Sequence, residues 1–219
     1  MKRTLTIAMG VLASAVFAHA QASTTTIQIA ASNAGPQASA AAYQATVDAA
    51  VAHGAKSSVV AVYENISNQT VFGGSNANTA FKSSVSFGVS AAQAGAWEIR
   101  SGVDFGNGGA LFIDGVALDF KSNDMWWAGN YNNASQHFSV GLNLAAGNHT
   151  LNLYGLENCC DGTQQAQFKF GGAGFTSFSA NDGLIAAVPE PETYAMLLAG
   201  LGLIGFTARR RRAARQATA

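Results

Sequence analysis

Two cysteines stand side by side in the segment Glu157-Asn158-Cys159-Cys160-Asp161-Gly162, and they are the only two in a chain of 219 residues. In an oxidising compartment such a pair has three fates: a disulfide between neighbours, a bridge to another chain, or two free thiols. Neighbouring Cα atoms sit about 3.8 Å apart across a trans peptide, whereas ordinary disulfides join Cα atoms about 4.4–6.8 Å apart. The composition of the segment leaves all three open. Its two carboxylates raise a metal site as a minor reading, but His149 is the one histidine nearby, and that is not zinc spacing.

A second group that bears chemistry is Trp126-Trp127, followed by Asn130 and Tyr131. Sugar rings stack on aromatic faces while amides bond their hydroxyls, so these four residues form a candidate glycan platform. The competing reading, given equal weight, puts one tryptophan in the core and the other over a sheet edge. His53, His137 and His149 are scattered, and no His-Glu-x-x-His or Gly-x-Ser-x-Gly stands in the chain. No spacing pairs two carboxylates for glycoside hydrolysis. The expected protein is not an enzyme.

Charge narrows the partners further. The formal net charge is zero, but seven of the twelve basic residues lie at the two ends. Between Ser23 and Val188 there are ten acidic side chains against five basic ones (Lys56, Lys82, Arg100, Lys121 and Lys169). No basic stripe is present to neutralise phosphates, which argues against nucleic acid.

The elements that must position these residues lie between two terminal signals. Lys2 and Arg3 precede an apolar run from Leu5 to Ala18, and Ala18-His19-Ala20 supplies a small-x-small cleavage site. This reads as a signal peptide over residues 1–22, with the mature chain starting at Gln21 or Ser23. At the other end Val188-Pro189-Glu190-Pro191-Glu192 leads into the apolar run Tyr194 to Ala208 and then Arg209-Arg210-Arg211-Arg212. As a helix that run is about 22 Å long, short of a hydrocarbon core of roughly 30 Å. Snorkelling arginines and local thinning still allow a short transmembrane helix. The arginines should stay cytoplasmic and leave the domain outside, as the signal peptide also requires.

Between the signals, residues 23–187 read as one exported domain. Ser23 to Gly35 suggests a first strand and turn. Gln37 to Ala52 places Tyr43, Val47 and Val51 at helical spacing. From Ser58 the period becomes two: Phe81, Val85, Phe87 and Val89 share one face, as do Trp97, Ile99 and Val103, and Phe138, Val140, Leu142 and Leu144. Leu151 and Leu153 continue after an expected Gly147-Asn148 turn, and Phe168 and Phe170 flank Lys169. Asp114-Gly115 between Leu111-Phe112-Ile113 and Val116-Ala117-Leu118 is a two-residue hairpin turn. Such alternation reads as an antiparallel sandwich or a partly closed barrel, and the expected class is all-β, an antiparallel β-sandwich with a jelly-roll-like arrangement. The loop after the Trp97 strand, the Asp114-Gly115 hairpin and the Trp126-Trp127 loop are expected to converge at one end.

Pro-Glu-Pro, a short span and an Arg cluster together resemble the PEP-CTERM sorting signal over residues 188–212, with residues 213–219 as a tail. That resemblance implies an exosortase, a membrane-embedded cysteine transpeptidase, as partner, with cleavage near Pro-Glu-Pro and release to the outer surface or a polysaccharide matrix. A group of PEP-CTERM proteins is similar in bearing Cys-Cys-x-Gly, which implies no chemistry. Over residues 79–178, Trp97-Glu98-Ile99, Asp104-Phe105-Gly106, Ile113-Asp114-Gly115, Trp126-Trp127 and Ala146-Gly147-Asn148-His149 occur in an order that resembles the β-sandwich domain of anthrax protective antigen and the yeast flocculins. Lectin members of that family hold calcium on two adjacent aspartates. Here the matching loop offers Asp104 and Asn107, which implies a weak calcium site at best, with Asp104 equally a turn former. No other cofactor is expected. The leading expectation is a non-catalytic surface or matrix protein that meets envelope or secreted polysaccharide. A self-associating structural matrix subunit is the alternative, and a secreted hydrolase the third.

Overall fold

The structure, a computed structural model, describes residues 22–73, 77–160, 162–186 and Leu201. The expected signal peptide before Ala22, the Pro-Glu-Pro segment, the apolar span apart from Leu201, the Arg cluster and Asp161 lie outside them.

Among the described residues, ten strands form two antiparallel sheets. In the larger sheet the order is β2 (Lys56–Val60), β1 (Ser23–Ala31), β3 (Thr79–Val89), β8 (Gly147–Glu157), β5 (Gly109–Ile113) and β6 (Val116–Lys121). The smaller sheet runs β10 (Thr176–Ser177), β9 (Gln165–Phe170), β4 (Gly95–Gly102) and β7 (His137–Leu144). The central strands turn one set of apolar side chains toward the other sheet. Phe81, Val85, Phe87 and Val89 of β3, Trp97 and Ile99 of β4, Phe138 of β7, Leu151 and Leu153 of β8, and Phe168 of β9 are all buried in one shared core. The period-two reading of these segments is the arrangement seen.

The larger sheet also buries the middle of its outer face. Helix α1 (Ala40–Ala52) starts at Ser39, whose side chain accepts from the Ala42 N–H at 3.2 Å. Its Ala40, Tyr43 and Val47 pack on Ala80, Ala110, Phe112, Tyr154 and Leu156. This explains why β5 is buried on both faces and reads as a continuous apolar run rather than an alternating one. A second helix, α2 (Asn68–Phe72), is a single short turn with a Ser67–Thr70 capping box.

One expectation about a connection is corrected. Gly147-Asn148 is not a turn within one sheet: both residues already belong to β8 and pair with Val89 and Gly88 of β3. β7 and β8 lie in different sheets, so Ala145-Ala146 carries the chain across the sandwich. Alternation in sequence fixes which face is apolar but not which sheet a strand joins. The Asp114-Gly115 turn does form, with φ of 51° and 77°. Strand β6 that follows it is a sheet edge on which Val116, Leu118 and Phe120 are exposed. A bulge between Leu111 and Phe112 leaves Leu118 outside the register, which blunts this edge against pairing with a further strand.

Candidate functional site

Three segments are laced together at one end of the sandwich. Phe105 and Met125 exchange both backbone hydrogen bonds, at 3.0 and 3.1 Å, which fixes the loop after β4 beside the segment leading to Trp126. The Asn107 N–H donates to Leu156 O at 2.9 Å and Leu156 N–H to Gly108 O at 3.0 Å, which ties the same loop to the end of β8. Phe105 is the buried pin beneath it. Its ring lies on Gly155, where a Cβ would collide with it, and 5.4 Å from the Phe81 ring.

Between these segments opens a cleft of about 360 Å³ lined by Asp104, Gly106, Asp124, Trp126, Glu157, Asn158, Cys159, Cys160 and Gly162. The adjacent cysteines are bonded to each other, with their Cα atoms 3.8 Å apart. Of the three fates open to the pair, the chain takes the first. Gly162 lies so close to the Asp104 carboxylate that any Cβ there would overlap it. The last position of Cys-Cys-x-Gly is therefore a packing requirement at the cleft.

Glu157, at the end of β8, braces the loops rather than facing solvent. Its Oε2 accepts from the Gly106 N–H at 2.7 Å and its Oε1 from the Cys159 N–H at 2.8 Å. Burial pushes its carboxyl above the ordinary carboxylate range, and these backbone donors offset part of that. A Cβ on Gly106 would press on Glu157 Oε1 and Asn158 Oδ1, so a larger residue there would have to displace this brace.

The two tryptophans divide their roles. Trp127 is 4% exposed and lies over Gly102, with its Nε1–H donating to Asn130 O at 2.9 Å. Trp126, its neighbour in sequence, is 67% exposed. Tyr131 is half-buried: its hydroxyl accepts from Gln165 Nε2 at 3.0 Å and its ring stacks on the Arg100 guanidinium at 3.8 Å. Of the four residues of the expected platform, Trp126 and Asn130 face solvent, while Trp127 and Tyr131 hold the loop in place. Trp126 and Asn130 also line a smaller hollow of about 140 Å³ with Asn133 and Gln136.

The expected convergence is corrected in one part. The Asp114-Gly115 turn ends β5 at the pole opposite the Asp104 loop, because that loop enters β5 at Gly109 and the strand leaves at Ile113. A hairpin tip and the loop that feeds its first strand cannot share an end. The residues that do complete the cleft are Glu157 to Cys160 and Gly162, which the sequence marks only by the paired cysteines.

Calcium on Asp104 and Asn107 does not fit this geometry. Asp104 lines the cleft, but Asn107 Nδ2 donates to Ala34 O at 3.1 Å and its Oδ1 accepts from Asn158 Nδ2 at 3.4 Å. Of the other carboxylates that line the cleft, Glu157 spends both oxygens on backbone N–H groups, and Asp124 is the second. Calcium takes six to eight oxygen ligands. Among the described residues no three His, Cys, Asp or Glu side chains are grouped to hold a metal.

Comparison with known proteins agrees with the fold and with the C-terminal signal. The sandwich is similar to the PA14 sugar-binding domain from an RTX adhesin, with a TM-score of 0.50 at 13% identity over 75% of this chain and 98% of that one. It is also similar to the PA14 domain of the MpAFP antifreeze protein (TM-score 0.46, 12% identity, 76% of this chain and 91% of that one). A third likeness is the Epithelial Adhesin 9 A domain of Candida glabrata, solved with Galb1-4GlcNAc (TM-score 0.44, 9% identity, 78% and 92%). No curated protein sequence matches the chain. Residues 187–212 match the family described as the PEP-CTERM protein-sorting motif. The chain is thus an all-β sandwich of the PA14 fold that carries a PEP-CTERM sorting motif. That motif marks it for export and sorting to the cell surface.

Proposed function

We propose that this is a non-catalytic surface or matrix protein, processed by an exosortase-like transpeptidase, whose cleft holds glycans of the envelope or of secreted polysaccharide. The observation that carries the reading is Trp126, exposed on the rim of a cleft that also offers Asp104, Asp124 and Asn158. An indole left in water at the mouth of a polar cleft supplies the stacking face that a pyranose ring needs, and carboxylates and amides beside it accept and donate to ring hydroxyls. That the solved PA14 relative from an RTX adhesin is described as sugar-binding supports the same reading. The structural-subunit alternative loses one of its supports, because the two cysteines are bonded within the chain and leave no thiol for a bridge to a second one.

The test is retention of the full-length chain on immobilised exopolysaccharide from its own host. Trp126→Ala should keep a cooperative melt and lose retention, while the chelator EDTA should leave retention unchanged. A folded Trp126→Ala chain that is retained as well as the parent would overturn the reading.

A further inference from the structure

The disulfide is part of the cleft surface, not only of the loop that carries it. Cys159 and Cys160 are both exposed, and both line the cleft that Trp126 borders. A disulfide offers no hydrogen-bond donor, and its sulfurs are soft and polarisable, so toward a ligand it behaves as apolar surface. Its place is held from three directions. Glu157 Oε1 accepts the Cys159 N–H at 2.8 Å. The ring between neighbours keeps Cys160 at φ 62°, a region that residues with side chains rarely enter. Two residues on, Gly162 is pressed against Asp104. Trp126 is held independently through the Phe105–Met125 bridge. The cleft therefore has two separately fixed apolar surfaces, with Asp104, Asp124 and Asn158 as polar lining. A hexopyranose divides its surface the same way, with C–H groups on its faces and hydroxyls around its rim.

We propose that the Cys159–Cys160 disulfide is a ligand-contacting wall of this cleft that takes the C–H face of a pyranose ring, and that its reduction releases the ligand. The proposal rests on the glycan reading above. The reductant is a dithiol: its two sulfurs become bonded to each other, the Cys159–Cys160 bond breaks, and two electrons and two protons pass to the cysteines as two S–H groups. Once the ring is open, nothing covalent keeps Cys160 in the left-handed region, and the wall comes apart. Exposed disulfides are the ones that such reductants reach.

The experiment uses the full-length chain and a panel of neutral disaccharides built from glucose, galactose and N-acetylglucosamine. Binding is followed by calorimetry and by nuclear Overhauser contacts to the cysteine Cβ protons. In the oxidised chain a disaccharide should bind, show contacts between its ring C–H protons and the Cβ protons of Cys159 and Cys160, and slow reduction by dithiothreitol. Reduction should weaken binding by on the order of tenfold or more, with the melt still cooperative. The double variant Cys159→Ser/Cys160→Ser should match the reduced chain, and if it does not fold, the reduced parent carries the comparison alone. Equal binding by the oxidised and reduced chains, or Overhauser contacts to Trp126 without any to the cysteines, overturns the wall and leaves the glycan reading standing. If no disaccharide binds the oxidised chain and Trp126→Ala costs no retention on exopolysaccharide, the glycan reading falls and this inference falls with it.

Discussion

Asp114 and His149, thirty-five residues apart, meet across two strands with Asp114 Oδ2 2.7 Å from His149 Nδ1. The contact is doubled on the backbone: Asp114 Oδ1 accepts from the Thr150 N–H at 2.8 Å, and the Asp114 N–H donates to Thr150 O at 2.9 Å. His149 Nε2 lies 2.9 Å from Ala145 O, so the ring also ties the β7–β8 crossing to the β5–β6 turn. Here is the physical reason that Ile-Asp-Gly and Ala-Gly-x-His occur together in this chain. One turn is built against the other.

Breaking that contact should cost stability without touching the cleft, which lies at the other pole. Asp114→Ala and His149→Ala are each expected to lower unfolding free energy by about 1 kcal/mol. The double variant should lose less than the sum, because the second change removes a partner already lost. Asp114→Asn should cost less than Asp114→Ala, since Asn tolerates the φ of 51° at this position. Chemical denaturation of the four chains decides this, and full additivity would sink the coupling.

The two tryptophans should separate stability from binding. Trp127→Ala removes a buried ring that fits over Gly102 and should cost about 3–5 kcal/mol. Gly102→Ala should also destabilise, because its Cβ would collide with the same ring. Trp126→Ala should change stability by no more than about 0.5 kcal/mol. Equal melting losses for the two tryptophan variants would show that the outward and inward assignments are wrong.

His137 predicts an acid-side loss of stability. Burial holds its pKa below the ordinary histidine value of 6.5, and the Lys121 and Arg100 charges act in the same direction, against a hydrogen bond to Asn133 O. The folded state thus favours the neutral ring. As pH falls below about 6.5 the unfolded chain takes up the proton first, so stability present above that value is lost as pH falls through the folded group's lower one. Melting temperatures between pH 7.5 and 5 should fall more steeply for the parent than for His137→Gln. Parallel profiles would remove His137 as the cause.

Processing is checked by intact mass of the chain recovered from its host's surface. The Ala18-His19-Ala20 site and the motif at residues 187–212 predict a chain that starts at Gln21 or Ser23 and lacks Arg209 to Arg212. Molecules that mostly retain those arginines would mean a simple membrane anchor instead of a sorting signal.

The sequence by itself determined the class of the fold and the address of the chain, because both depend on short-range pattern. Alternation along Phe81 to Val89 and Trp97 to Val103 commits one face of each strand to a core whatever lies opposite, and a Pro-Glu-Pro segment with a short span and four arginines is read in order along the chain. The helical spacing of Tyr43, Val47 and Val51 was equally local. Only the tertiary structure decided which tryptophan faces water, since Trp127 lies over Gly102, on a strand 25 residues before it in sequence, and Trp126 does not. It also decided that β7 and β8 part to different sheets and that Glu157 to Cys160 and Gly162 line the cleft while Asp114-Gly115 sits at the far pole. These are contacts between segments whose separation carries no periodic signal, and they are set by where glycines leave room for a ring or a carboxylate to pass. The neighbouring cysteines show both sides of this division: their adjacency named the possible bonds, and only the tertiary structure placed them in the lining of the cleft.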